Sequence, residues 1–194
     1  SFNRGGVEYK IADTGITPNI VKAIGPGNDL PKDLVIPATV SYTDQNSKSY
    51  VFNVIGINNG AFKGKGLTSV TIPNTVKLIE DSAFANNELR SLTFAGGGSV
   101  VLDGEVFRGN QISSVELTSV SSIGRSAFMN NNLESIVIPA SVSSIASDAF
   151  RENATLRQIT SEGEIPASIK DDSFVSRSSI DLIVPKGTED AYLA

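Results

Sequence analysis

IGRSAFMNNNLESIVIP, residues Ile123–Pro139, is the unit that the rest of the chain repeats. Aligned on its phenylalanine, the unit returns at Phe62, Phe84, Phe107, Phe128, Phe150 and Phe174, in steps of 22, 23, 21, 22 and 24 residues. A self-similar period of this length predicts a solenoid in which each repeat forms one coil and neighbouring coils stack.

Each position in the unit has a physical reading. Three residues after each Phe stands Lys65, Asn87, Asn110, Asn131, Asn153 or Arg177, so the four inner repeats carry an unbroken Asn row. An Asn amide offers two donors and a two-lone-pair acceptor, enough to hold the backbone of its own turn and of the next coil together. Asn87, Asn110, Asn131 and Asn153 are therefore read as a structural ladder that satisfies turn backbone. A short strand follows, with apolar inward positions at Leu67, Val70 and Ile72, at Leu89, Leu92 and Phe94, at Ile112, Val115 and Leu117, and at Leu133, Ile136 and Ile138. This spacing fits a half-buried strand entered from a turn. Pro73, Pro139 and Pro185 close three of the strands, since Pro cannot donate to a ladder. A second apolar pair precedes each Phe, for example Val76 and Ile79 or Val142 and Ile145, and forms the return side of the coil. Between that pair and the Phe, Ser82-Ala83, Ser126-Ala127 and Asp148-Ala149 predict one short N-capped helical turn.

The chain has 194 residues, 40% of them hydrophobic and 7% aromatic, which suits one elongated aliphatic core with a Phe spine. Its net charge of −5 argues against a nucleic-acid surface, which needs clustered Lys and Arg. With no Cys and no His, thiol nucleophiles, imidazole bases, disulfides and nearly every transition-metal site are excluded. No cofactor is expected and no catalytic residue is assigned. No apolar run approaches the roughly 20 residues of a membrane-spanning helix. A chain starting at Ser1 reads as a mature or excised piece of a larger precursor.

Residues 1–53 are read as an N-terminal cap, the first strand of the array and a hairpin insertion, 54–178 as the repeat array, and 179–194 as a last strand and C-terminal cap, all in one continuous domain. Val7-Glu8-Tyr9-Lys10-Ile11 alternates like a strand, and Gly25-Pro26-Gly27-Asn28 reads as a turn. Leu34–Val40 matches Ile136–Val142 closely, so the array begins near Leu34. Ser41–Asn53 then interrupts it as a hairpin turning at Asp44-Gln45-Asn46-Ser47. The glycine run Ala95–Ser99 lacks the Lys-Ser/Thr and following helix of a phosphate-binding loop and is read as a flexible return loop.

The pattern Ile-x-x-Ser/Asp-Ala-Phe-x-x-Asn-x-Leu-x-x-Ile/Val-x-Ile-Pro resembles the BspA-like, Treponema-type leucine-rich repeats of bacterial surface proteins. Glu164-Ile165-Pro166-Ala167-Ser168-Ile169-Lys170-Asp171-Asp172-Ser173-Phe174, then Val184-Pro185-Lys186-Gly187-Thr188 and Tyr192, resemble the way arrays of that family finish. The resemblance covers about Leu34 to Tyr192. It implies a β-dominated leucine-rich-repeat solenoid of right-handed coils, with a parallel sheet on the concave face and short helical turns and strands on the return side. It also implies an extracellular role, cell-surface or secreted, in adhesion or partner binding.

The outward positions of the inner strands form two rows, Ser69, Ser91, Ser114, Ser135, Gln158, Asp181 and Thr71, Thr93, Glu116, Val137, Thr160, Ile183. Strands about 4.8 Å apart would join them into one continuous face. With Arg90, Glu116, Glu134 and Arg157 as its charges, this face is the candidate surface for a protein or glycan partner, host extracellular matrix among them. The same residues also read simply as small side chains compatible with an exposed sheet, because the rows lack the aromatic and Arg anchors that dominate hot spots. Tyr42, Tyr50 and Phe52 on the hairpin are the second candidate contact, or pack on the cap. Glu80-Asp81, Glu162 with Glu164, and Asp171-Asp172 read as solvated corners, without the facing carboxylates that hydrolytic chemistry needs or a loop with enough oxygens for a hard cation. Asn153-Ala154-Thr155 spells a glycosylation acceptor but falls in the ladder, so it is expected to stay unused. A monomeric binding or adhesion module is the leading expectation, and a structural spacer the alternative.

Overall fold

The computed structural model describes residues 1–13, 20–164, 167–169, 172–174 and 179–193. The cap contributes β1 (Phe2–Arg4), β2 (Val7–Asp13) and β3 (Ile20–Pro26). The array opens with β4 (Asp33–Val35) and the hairpin of β5 (Thr39–Thr43) and β6 (Ser49–Ile57). Inner and return strands then alternate as β7 (Ser69–Ile72), β8 (Leu78–Ile79), β9 (Ser91–Phe94) and β10 (Val100–Leu102), and after an interruption continue as β11 (Val120–Ile123) and β12 (Ser135–Ile138). The last coils hold β13 (Ser144–Ile145), β14 (Gln158–Ser161), β15 (Ser168–Ile169) and β16 (Asp181–Ile183), and the five-residue helix α1 (Glu189–Leu193) follows.

The solenoid stands, and the distribution of its sheets differs from expectation. The long ladder is on the return side, a ten-stranded sheet in the order β1-β2-β3-β6-β8-β10-β11-β13-β15 with β5 hydrogen-bonded to β6. The cap joins this sheet through the parallel pairing of β3 with β6, so β3 supplies the return strand that the first coil would otherwise lack. On the inner side there are two separate three-stranded parallel sheets, β4-β7-β9 and β12-β14-β16.

The core is one continuous column. Phe62, Phe84, Phe107, Phe128, Phe150 and Phe174 stack face to face, with ring centroids 5.3, 5.6, 5.4, 5.7 and 5.2 Å apart in order. Offset stacking at this distance adds to the burial of the rings, and the inward aliphatics Leu67, Ile72, Leu89, Ile112, Leu133 and Ile136 close around them.

The N-capped helical turns are not formed. The residue two before each of the first five Phe lies in the left-handed region, at Gly60, Ser82, Glu105, Ser126 and Asp148, and so does the residue two after it, at Gly64, Asn86, Gly109, Asn130 and Glu152. These residues flank tight turns closed by Ala83 N–H to Glu80 O (3.2 Å) and Ala85 N–H to Ser82 O (3.0 Å), and by their equivalents in other coils. The reversed backbone turns alternate N–H groups along the array. Ser82, Phe84 and Asn86 donate to the carbonyls of Gly104, Val106 and Arg108 in the next coil at 2.9, 2.9 and 2.8 Å. A helix would have kept those bonds inside one coil, whereas the tandem turns make a third ladder between coils.

Candidate functional site

The Asn row lies beside the Phe column. The Asn87 carbonyl oxygen Oδ1 accepts from Lys65 N–H (2.9 Å) and Leu67 N–H (3.1 Å), while its Nδ2 donates to the carbonyls of Phe62 (2.8 Å) and Phe84 (2.9 Å). Asn110 accepts from Leu89 N–H and donates to the Phe84 and Phe107 carbonyls, all at 3.0 Å. Asn131 accepts from Ile112 N–H and donates to Phe107 and Phe128. Asn153 accepts from Leu133 N–H and donates to Phe128 and Phe150. Each amide thus ties its own coil to the one before it. The same bonds occupy the nitrogen that glycosylation at Asn153 would modify, and Thr155 Oγ1 donates to Leu133 O at 2.8 Å.

The inner face departs from the single surface expected. Ser69, Ser91, Thr71 and Thr93 are brought together in one sheet, and Ser135, Gln158, Thr160 and Asp181 in the other. Ser114 and Glu116 join neither, because residues 111–117 form no strand. The cause is a missing residue. In the first and fourth coils the corner turn is closed by Val76 N–H to Pro73 O (3.1 Å) and Val142 N–H to Pro139 O (3.0 Å). In the third coil only Thr118-Ser119 stand where Pro139-Ala140-Ser141 stand in the fourth. Its turn is closed instead by Val120 N–H to Leu117 O (2.8 Å), so it draws in the last inward residue of the would-be strand. Among the described residues, no backbone hydrogen bond joins 114–116 to β9 or β12. The 21-residue step from Phe107 to Phe128 is the sequence signal of this break.

The break opens a cavity of about 480 Å³ lined by Ser114–Thr118, Val137, Pro139 and Glu162. Val115 is half-buried, Leu117 buried, and Val137 is 44% exposed. Glu116 accepts a hydrogen bond from Thr118 Oγ1 at 3.1 Å. Glu162, read from the sequence as a solvated corner, is brought to the rim by the bond of its N–H to Ile138 O (2.9 Å).

The remaining candidates separate by environment. Ser91, Thr93, Ser135, Gln158, Glu134, Arg90 and Arg157 are exposed, and Ser69, Thr71 and Thr160 half-buried. Ser69 Oγ (2.9 Å) and Thr68 Oγ1 (2.8 Å) both donate to Asp33, and these bonds, Thr68's first, hold its carboxyl below the usual range. Arg157 is turned onto its own corner, donating to Ala154 O and Leu156 O at 2.8 and 2.9 Å, and Arg90 Nε donates to Gln111 Oε1 at 3.2 Å. Val35, which the sequence reading passed over, is 66% exposed and in register with Thr71, at the head of the Thr row. Its place in that register was the signal.

The hairpin aromatics are largely committed to the cap. Phe52 is 3% exposed and so is no contact residue, because Phe2 lies across it at 5.8 Å and across Tyr42 at 5.1 Å. Tyr50 is half-buried, with Lys48 Nζ 5.0 Å from its ring centroid and its hydroxyl donating to Asp44 at 3.3 Å. Glu80 is likewise no free corner. Lys22 Nζ pairs with it at 2.7 Å, and that bond first, then Asn59 N–H, lowers its pKa against the opposing effect of burial. Ile165, Pro166, Lys170, Asp171 and Arg177 lie outside the described residues. Among the described residues, no group of three or more carboxylates is placed to hold a metal ion, and no helix is long and apolar enough to cross a membrane.

Comparison with known proteins agrees with this architecture. The sequence matches the model of the BspA-type leucine-rich repeat region in six copies over residues 55–181. Among solved structures it is similar to a leucine-rich-repeat protein of T. pallidum, at 23% identity and a TM-score of 0.61 over 82% of this chain and 70% of that one. It is also similar to a leucine-rich cell surface protein of Faecalibacterium prausnitzii, at 20% identity and a TM-score of 0.69 over 94% of this chain and 54% of that one. The pneumococcal vaccine antigen PcpA is 17% identical with a TM-score of 0.54, over 97% of this chain and 50% of that one. The chain therefore spans about half the length of the last two, and at these identities the likeness is one of fold. No curated protein sequence matches the chain.

Proposed function

Because this chain belongs to the BspA-type leucine-rich-repeat family, we propose that it is a non-enzymatic binding or adhesion module of a bacterial cell-surface or secreted protein, engaging a protein or glycan. The carrying observation is the inner face, where Ser91, Thr93, Ser135 and Gln158 stand exposed on strands whose opposite sides are fixed in the core. Solenoids use such a face for binding because its strands are rigid and its outward side chains are free to vary. The exposed Val35 and Val137 add apolar area that a purely solvated sheet does not need. The similarity to a Faecalibacterium cell surface protein supports the location. The reading as a spacer draws on the engaged state of Arg90 and Arg157, both tied to groups of this chain.

The test is binding of the purified domain to a panel of extracellular-matrix proteins and glycans at physiological salt, beside a variant with Ser91, Ser114 and Ser135 replaced by Lys. Saturable binding that the variant loses supports the contact face. Binding that a folded variant retains refutes it, and a wholly silent panel favours the spacer.

A further inference from the structure

We propose that the break in the inner sheet is a docking cleft for an extended, cationic peptide segment of a partner protein. The inference rests on the reading of the inner face as a contact surface and gives that face a specific subsite.

Three features converge on this occupant. The first is an unfinished ladder. The carbonyls of Glu134 and Ile138 accept from Arg157 and Glu162 of the following coil, so the residues in the other phase of β12, Ser135 and Val137, turn their N–H and C=O groups toward the break. On the opposite lip, Arg90 N–H donates back to Thr68 O at 3.0 Å, which leaves Ser91 and Thr93 facing the break in the same way. Parallel strands two coils apart leave a gap of about 10 Å. The 114–116 backbone lies in it without pairing to either side. That segment fills the width of the gap, so an extended chain would lie over it along the cavity and bond to the main-chain groups that 114–116 leave unpaired.

The second feature is the floor. Val115, Leu117, Val137 and Pro139 present an apolar surface to the cavity, suited to alternate side chains of an extended peptide, since every second residue points the same way. The third is charge. Glu116 and Glu162 both line the cavity, and Arg125, Arg108 and Arg151 are turned to Glu105 and Asp148 on other parts of the coil. A peptide with aliphatic residues facing down and Lys or Arg facing the rim matches both. A neutral glycan can donate hydroxyl hydrogen bonds to the two carboxylates but brings no charge to balance them. A second copy of this chain, net −5, meets them with like charge.

The probe is the acetylated, fluorescein-labelled peptide Lys-Val-Lys-Val-Lys-Val, with Glu-Val-Glu-Val-Glu-Val as its counterpart, titrated into the intact domain and followed by anisotropy and by amide chemical-shift changes. The expected result is saturable binding of the cationic peptide alone. Affinity should fall at least tenfold in the Glu116→Lys/Glu162→Lys variant and with added salt, with shift changes centred on Val115, Leu117 and Val137. A second variant removes the cleft without altering its charge. One Ala inserted between Thr118 and Ser119 restores the three-residue corner, lets 114–117 join the ladder, and should abolish binding while circular dichroism and melting hold. Equal binding of both peptides, retention of binding by either variant, shift changes confined to the hairpin, or occupation of the cleft by a glycan or a second copy would each overturn the proposal. The two readings part cleanly. A panel partner lost on Ser91→Lys but not displaced by the peptide would sink the cleft and leave the wider face. Cleft-dependent peptide binding with a silent panel would do the reverse.

Discussion

Replacing the ladder asparagines one at a time should give unequal losses of stability, in an order set by what each amide leaves behind. In Asn110→Ala, the carbonyls of Phe84 and Phe107 keep the amides of Asn87 and Asn131, so Leu89 N–H alone loses its partner. One buried donor left unsatisfied costs about 1–3 kcal/mol. In Asn87→Ala, Lys65 N–H and Leu67 N–H both lose their acceptor and the Phe62 carbonyl loses the amide that binds it. Lys65 is exposed and water can take its N–H, so the cost rises to about 2–5 kcal/mol rather than to three full penalties. Asn153→Ala falls between, because Leu133 N–H and the Phe150 carbonyl are affected while Phe128 keeps Asn131. At roughly 2–4 °C per kcal/mol for a chain of this size, thermal melts followed by circular dichroism separate these variants. Asn131→Asp sharpens the test. Its carboxylate would still accept from Ile112 N–H but would face the carbonyls of Phe107 and Phe128, which with burial raises its pKa. A raised carboxylate pKa means stability that is full below the unfolded value near 4 and is lost as pH rises through the folded value. This variant should therefore melt below Asn131→Ala at pH 7 and recover in acid. Equal melting of the Asn87 and Asn110 variants would refute the assignment of these bonds as the source of stability.

Three further outcomes follow from the same geometry. Phe107→Ala opens a hole in the middle of the column, removing contacts with Phe84, Phe128 and the edge-on Phe94 at 6.3 Å, and should cost about 3–5 kcal/mol in urea unfolding. Asp103→Asn should raise the melting temperature at pH 7 by an amount that vanishes as pH falls, because burial first, then Asp81 and Glu80, raise the Asp103 pKa and penalise its charged form. An unchanged pH profile would dismiss that coupling. At Glu152, whose φ is +60°, Val should destabilise the fold by about 1–2 kcal/mol and Gly should not, as denaturant midpoints of the two variants will show.

The Phe column and the Asn row were legible because each depends on one residue type returning at one place in every coil. The turns were not. Ser82, Ser126 and Asp148 are residue types favoured at helix N-caps, and the pattern reads equally well that way until Gly60 is set beside them. A glycine two before Phe62, with Gly64 two after Phe62 and Gly109 two after Phe107, marks positions that need a left-handed backbone, a demand no N-cap makes. The two inner sheets were hidden for a different reason. Val115 and Leu117 keep the apolar spacing of their neighbours, and spacing within a strand says nothing of the length of the corner after it. The 21-residue step carried that information, and its effect depends on which residue the turn closes upon. Phe52 was ambiguous because an aromatic on a hairpin looks the same whether it faces a partner or, as here, Phe2.

The return-side sheet passes the third coil without a gap, from β10 directly to β11, while the inner side is severed there. Mechanically the array is thus a beam with one continuous flange and one cut flange. Bending that closes the return side must compress an intact ladder, whereas bending that widens the inner side works against the bonds at the start of the coil, Gln111 N–H to Leu89 O and Asn132 N–H to Ile112 O, and meets no ladder at 114–116. The Phe column and the turn ladder still run through the third coil, so it is the place where the array would resist flexure least and not a free joint.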